Sequence, residues 1–240
     1  MTEPASYLSA EAQAFLRDPL PPFDLVDFTD PSVVRKMRDE LDAVIDGELA
    51  RIPGDWVERS ETWGGVPCIR FAASNAALDH DRVLVHLHGG GYLIGSARSN
   101  AAAAIPIGQR LDLPIISIDY RLAPEHPFPA AINDAVAATI AIGTTSTISG
   151  IFGESAGGGL ALSTLVALRD QRIDLPSRAA LISPWVDLTC SGDSYRTLPA
   201  FDPVFPDPAV PPAITAAYAA GSEESPLASP LFADLAGLPP

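Results

Sequence analysis

Gly153-Glu154-Ser155-Ala156-Gly157 has the form G-x-S-x-G, and what stands on either side of it decides the fold. The run before it, Thr147 to Phe152, reads as a short strand, and the run after it, Gly157 to Arg172, reads as a helix. A serine on such a strand-to-helix turn is held in a strained backbone conformation with its hydroxyl exposed. Gly153 and Gly157 have no side chain, so neighbouring backbone can pass close to them. Ala156 brings an N–H group to the start of the helix, where the helix dipole favours an oxyanion. A glycine-rich turn with an ordinary capping serine is the weaker reading, because strand and helix both lie where the pattern needs them.

Working outward, three more short apolar runs repeat the arrangement: Val83 to His88, Pro114 to Ile118 and Ala179 to Ile182. The four runs lie about 30 residues apart, the span of a strand–helix–strand unit. Helix-forming tracts fill the gaps at Ser99 to Leu111, Ala130 to Ile142 and Gly157 to Arg172. The predicted class is α/β, a mostly parallel sheet covered by helices on both faces. Ligand sites in such sheets lie beyond the carboxyl ends of the strands. Upstream, Trp56 to Trp63 and Val66 to Phe71 flank Gly64-Gly65, a strong two-residue hairpin signal. Pro31 to Leu49 reads as one helix, capped by Asp30, with Val34, Met37, Leu41, Val44 and Ile45 at helical spacing. Residues 1–23 read as a helix and then an extended connector through Pro19, Pro21 and Pro22. Beyond Thr189, Pro199, Pro203, Pro206, Pro208, Pro211 and Pro212 break any long element, with one short helix expected at Ala213 to Ala220. That stretch reads either as a lid or as an irregular surface connection.

A second motif, His88-Gly89-Gly90-Gly91, also follows a strand directly. Three glycines leave backbone N–H groups unshielded, as required of donors fixed where charge develops on a carbonyl oxygen. No Gly-Lys-Ser/Thr follows, so the loop is not a phosphate cradle. His88 reads as an orienting or packing residue rather than a base. Tyr92 and Leu93 are expected beside the reacting group, as walls of an acyl pocket; for Leu93, core packing is an equal alternative. In the tract Asp119 to Ala131, Asp119 and Arg121 are candidates for internal ion pairs, and His126 for a structural hydrogen bond. Asp187, in Ser183 to Thr189, reads as a turn-stabilising carboxylate before it reads as a catalytic acid.

Composition narrows the function. Of 240 residues 47% are hydrophobic and 19% charged, a globular balance. Thirty acidic residues against 15 basic ones give a net charge of −15. That charge repels phosphate backbones and anionic lipid, so nucleic acid and membrane surfaces are poor partners, and a neutral or cationic small molecule is favoured. Two cysteines, Cys68 and Cys190, with no CxxC pattern, suggest neither a metal site nor a disulfide scaffold. No stretch of about 18 apolar residues and no cationic leader is present, so stable membrane insertion is not expected and a cytoplasmic location is the default.

With these motifs together, the sequence resembles the hormone-sensitive-lipase-like family of α/β-hydrolase esterases. The resemblance rests on His88 to Gly91, Asp119 to Ala131, Gly153 to Gly158, Ser183 to Thr189, and Ser229-Pro230-Leu231 ahead of Leu238-Pro239-Pro240. It runs from about residue 30 to the end. It implies hydrolysis of small carboxylic esters, lactones included, with Ser155 as nucleophile and N–H donors from Gly90, Gly91 and Ala156, without metal or organic cofactor. It also implies an N-terminal cap over residues 1–50, joined by residues 190–225, above an α/β core spanning 51–240.

The sequence departs from the family pattern in one respect. The family places its acid and its histidine after the serine, in that order. Here the histidines are His80, His86, His88 and His126, all before Ser155. The expectation is therefore a C-terminally shortened family member, inactive or strongly impaired as it stands, with an inner strand left as an open edge and poor solubility. A ligand-binding relative without catalysis, and a fragment completed by a second chain, are the alternatives. A homo-oligomer stays open for a full-length form.

Overall fold

The computed structural model describes residues 5–17 and 23–240; Pro19, Pro21 and Pro22 lie outside the described residues. A six-stranded sheet forms the centre: β1 (Val57–Trp63), β2 (Val66–Ala72), β3 (Arg82–Leu87), β4 (Ile115–Ile118), β5 (Thr147–Glu154) and β6 (Ala179–Ile182). Their spatial order is β1-β2-β4-β3-β5-β6. β3 pairs in parallel with β4 and β5, and β5 with β6, whereas the first two strands are antiparallel. The helices are α1 (Ala10–Arg17), α2 (Pro31–Asp42), α3 (Ile45–Leu49), α4 (Ala101–Leu111), α5 (Ala130–Gly143), α6 (Ala156–Asp170), α7 (Ser194–Thr197) and α8 (Val210–Ala219).

Alternation along β3 shows why the inner strands read as continuous apolar runs. Val83, Val85 and Leu87 point into the main core, with Ala135 and Ala138 of α5 and Leu160 and Leu165 of α6. Leu84 points to the other face, with Ala104 of α4, Ile115 and Phe152. Both faces are covered, so neither selects for polar residues. Three crossovers bring the carboxyl ends of β3, β4, β5 and β6 to one edge, where the sequence motifs stand.

At the start of the sheet, Gly64 and Gly65 have φ of 59° and 82°, the paired positive values that a tight hairpin turn demands. The expected single helix over 31–49 breaks instead. Asp30 caps α2 through Ser32 N–H, as predicted (2.8 Å). After Asp42 the chain tightens, with Val44 N–H bonding to Leu41 O (3.2 Å). Restarting at Ile45 leaves Val44 in solvent and turns Leu49 onto Phe71, Ala101 and Ile105. The late helix begins at Val210 rather than Ala213. Pro211 and Pro212 occupy its first turn, where a missing N–H has no intrahelical acceptor to lose.

The N-terminal segment and the chain after β6 meet over the carboxyl end of the sheet. Phe23 stacks on Phe205 (5.3 Å between centroids), and Phe23 N–H bonds to Val204 O. On the far side of the sheet, β6 pairs with no further strand among the described residues. Ala179 N–H donates to Pro240 O (3.0 Å) on that side. No helix among the described residues is long and apolar enough to cross a membrane.

Candidate active site

β5 ends at Glu154 and α6 begins at Ala156, so Ser155 alone makes the turn. Its φ of 54° and ψ of −122° lie where a residue with a Cβ is strained, at a cost of about 1–3 kcal/mol. The surroundings hold it there. Ser155 N–H bonds to Ile182 O (3.0 Å), and Ser155 O accepts from Trp185 N–H (2.8 Å) and Gly159 N–H (3.1 Å). A Cβ on Gly157 would run into the carbonyls of Leu87 and His88, so the turn sits directly on the end of β3.

The glycine loop lies on that same strand end. Gly90 and Gly91 have φ of 120° and 63°, and Gly90 O accepts from Leu93 and Ile94 N–H (3.0 Å each) to close a tight turn. Among the described residues, no acceptor takes the N–H of Gly90, Gly91 or Ala156. Ser155 is half-buried and its hydroxyl bonds to no described residue. Gly90, Gly91 and Ser155 line one cavity of about 360 Å³, whose remaining wall is mostly apolar: Phe28, Met37, Leu93, Ile94 and Ile214 among others.

Glu154 ties the two motifs together. One carboxylate oxygen accepts from Gly89 N–H (2.7 Å) and Asn100 Nδ2 (2.9 Å). The other meets His86 Nε2 at 2.9 Å, and His86 Nδ1 meets Ser117 Oγ at 2.7 Å. Burial works against the charge on Glu154, but the hydrogen bond and attraction of His86, with the Gly89 and Asn100 donors, hold its carboxyl below the usual value of 4.5. Nothing in G-x-S-x-G spacing marks its second residue as an anchor, so the sequence reading missed it. Arg38 was missed too. Its guanidinium runs from α2 to Leu93 O and Ala123 O (2.7 Å each) and pairs with Glu125 (2.9 Å).

Several expectations take a different form. Tyr92 does not wall the cavity. It is buried with φ of 62°, its ring stacked on Tyr218 at 3.8 Å, so the left-handed turn carries it into the core while Leu93 faces the cavity. Arg121 pairs with Asp134 (2.8 Å) rather than Asp119, which accepts the Ala97 N–H instead. His126 is exposed and its ring makes no hydrogen bond to a described residue. Asp187 is the turn-stabilising carboxylate expected, accepting from Thr189 N–H (2.9 Å) and Ser191 Oγ (2.6 Å).

His88 packs flat against Tyr120 (4.2 Å) and its Nδ1 donates to Gly89 O (2.8 Å). Burial pushes its imidazole down to about 4. The folded value lies below the ordinary 6.5, so the unfolded chain binds the extra proton between those two pH values. Stability contributed by neutral His88 is thus complete above pH 6.5 and lost as pH falls to 4, about 3 kcal/mol in all. Denaturant melts at steps across that window should show His88→Asn with a visibly flatter slope than the parent. Equal slopes would place the ring in water.

The four histidines are thus accounted for: two exposed, one buried and neutral, one bonded to Ser117 and Glu154. None hydrogen-bonds to Ser155.

A family model described as the alpha/beta hydrolase fold matches residues 84–240. The crystal structure of an esterase from the bacterial hormone-sensitive lipase family superposes with a TM-score of 0.81 at 32% identity, over 97% of this chain and 77% of that one. The chain belongs to the hormone-sensitive-lipase-like α/β hydrolases. Among curated relatives of this hydrolase, an acetyl-hydrolase of Streptomyces hygroscopicus is 42% identical over 66% of this chain and 54% of its own length. An esterase of Acinetobacter venetianus is 34% identical over 72% of this chain and 58% of its own. This hydrolase therefore spans just over half the length of these curated relatives.

Proposed function

We propose that this α/β hydrolase cleaves short- to medium-chain carboxylic esters, lactones included, through an acyl-enzyme on Ser155. One observation carries the reading: the half-buried Ser155 hydroxyl shares a cavity with Gly90 and Gly91, whose N–H groups, like that of Ala156, have no acceptor among the described residues. In the proposed reaction the serine hydroxyl gives its proton to water as its oxygen attacks the ester carbonyl carbon, and the carbonyl oxygen takes up the negative charge. Collapse of the adduct expels the alcohol, which takes a proton from water, to leave the acyl-enzyme. Backbone N–H groups free of other acceptors are available to stabilise the carbonyl oxygen. The uncharged wall suits neutral acyl chains. Relatives named acetyl-hydrolase, esterase and ethyl acetate hydrolase support this class of reaction.

Serine is a weak nucleophile without a neighbouring base. None of the four histidines is bonded to Ser155, so these residues supply the attacking and charge-stabilising half of the reaction. Oxyanion donors and binding alone retain about 10³–10⁴-fold over water. Residues 1–50 and 190–225 are proposed as a two-part cap, supported by the Phe23–Phe205 stack above the cavity. A cytoplasmic location agrees with two unpaired cysteines.

Incubation with a small fluorophosphonate should give a slow, single adduct by intact mass, mapped to Ser155 and absent in Ser155→Ala. No adduct after prolonged incubation, or one on another residue, would sink the proposal.

A further inference from the structure

The cavity at Ser155 has two unlike sides. Next to the Gly90–Gly91 turn the wall is hydrocarbon, with Leu93, Ile94 and Met37. The cavity's polar lining comes from elsewhere: Ser183 and Trp185 on the loop leaving β6, and Tyr195 on α7. Tyr195 also lines an adjoining cavity of about 540 Å³, together with Ser194 just before it.

Beside the Tyr195 hydroxyl stand the Trp185 indole and the Cys190 thiol. The Trp185 indole N–H is buried with no acceptor in hydrogen-bonding range. It lies near enough to the Tyr195 hydroxyl to act on its ionisation, and burial pushes that phenol up to about 12, so it stays a proton donor. Ser183 and Ser194 hydroxyls bond to no described residue. The one acid lining the adjoining cavity, Asp202, is already taken by Val204 and Phe205 N–H (2.8 and 2.9 Å).

A buried donor left unpaired costs about 1–3 kcal/mol, so its retention on a cavity wall points to a ligand acceptor. An oxygen lodged at the junction of the two cavities would receive the Tyr195 proton, and the phenol oxygen would then take the indole's. Asp202 and Asp187 stand on this side, so an anionic acceptor would be repelled and a neutral oxygen is favoured.

Resting on the ester-hydrolase reading, we propose that this row is the subsite for the alcohol half of the ester, and that this half bears oxygen: an ether, a polyol or a hydroxylated ring. The halves follow from the two kinds of lining residue. With the carbonyl oxygen on the Gly90 and Gly91 amides, the acyl carbon chain lies against the apolar residues that continue that turn. That leaves the row of Ser183 and Tyr195 to the departing alcohol.

Two probes of equal size differ by one CH₂-for-O exchange: butyl butyrate and 2-methoxyethyl butyrate. Each is titrated against the Ser155→Ala chain by ligand-observed NMR, so that turnover plays no part. The ether-bearing ester should bind about tenfold more tightly, the size of one good hydrogen bond. Tyr195→Phe should bring that ratio close to one and leave butyl butyrate unchanged. A ratio of one in the Ser155→Ala chain overturns the proposal. So does an equal loss for both esters on Tyr195→Phe, or saturable binding of neither. Failure of Ser155 to label while the ratio persists would instead strike the hydrolase reading and leave the subsite standing.

Discussion

Gly157→Ala is expected to destabilise the chain by at least about 4 kcal/mol, in the exceptional range for one added methyl group, and to abolish labelling of Ser155. An ideal Cβ at Gly157 collides with the carbonyls of both Leu87 and His88. These are backbone atoms at the end of β3, the strand with neighbours on both sides in the middle of the sheet, so they cannot swing aside as a side-chain tip would. Relief must come from lifting α6 off the sheet. That movement takes Ser155 with it, because Ser155 N–H and O are both tied to the segment from Ile182 to Trp185. Chemical denaturation with the fluorophosphonate assay on the same samples separates the two consequences. A variant within about 1 kcal/mol of the parent that still labels would show that the strand end yields, contrary to the packing argument.

Glu61→Ala should cost about 3–5 kcal/mol, the penalty for leaving a buried cation without its partner. Arg70, on β2, is 4% exposed, and its Nε lies 2.8 Å from the Glu61 carboxylate across the hairpin. The same carboxylate accepts from Trp63 Nε1 (2.6 Å) and pairs with Arg59 (2.9 Å). Burial of Glu61 opposes its charge, yet the Arg70, Trp63 and Arg59 bonds hold its carboxyl below 4.5. The folded value is depressed, so this contribution is present above pH 4.5 and fades as pH falls below it. Arg70→Met added to Glu61→Ala removes the stranded cation and should restore most of the loss. A double variant no better than Glu61→Ala in urea titration would mean that the lost carboxylate, not the stranded guanidinium, carries the effect.

What was legible in the sequence followed from short-range rules. Strands were found because β-branched runs such as Val83 to Leu87 stop at glycines, and Ser155 because its turn needs strand, small residues and helix in fixed order. The hairpin at Gly64-Gly65 is legible for the same reason, since the turn demands two positive φ values. Illegible features depend on residues far apart in the chain. Glu154 grips Gly89 from 65 positions away, and Arg38 reaches Leu93 across 55. Tyr92 was misplaced because adjacency to the glycines says nothing about which way a left-handed residue throws its ring. The break after Asp42 escaped notice because Val44 and Ile45 both suit a helical stripe, and only the position of Phe71 decides which of them faces inward.

The Arg38 guanidinium makes the N-terminal helix and the glycine turn a single mechanical part. Met37, its neighbour on α2, forms cavity wall, while Arg38 itself holds the backbone of Leu93 and Ala123. Swinging α2 outward to admit a bulky molecule therefore drags on the very loop that would cradle the carbonyl oxygen. Entrance and grip cannot be adjusted separately: a wide-open doorway comes with a slackened hand.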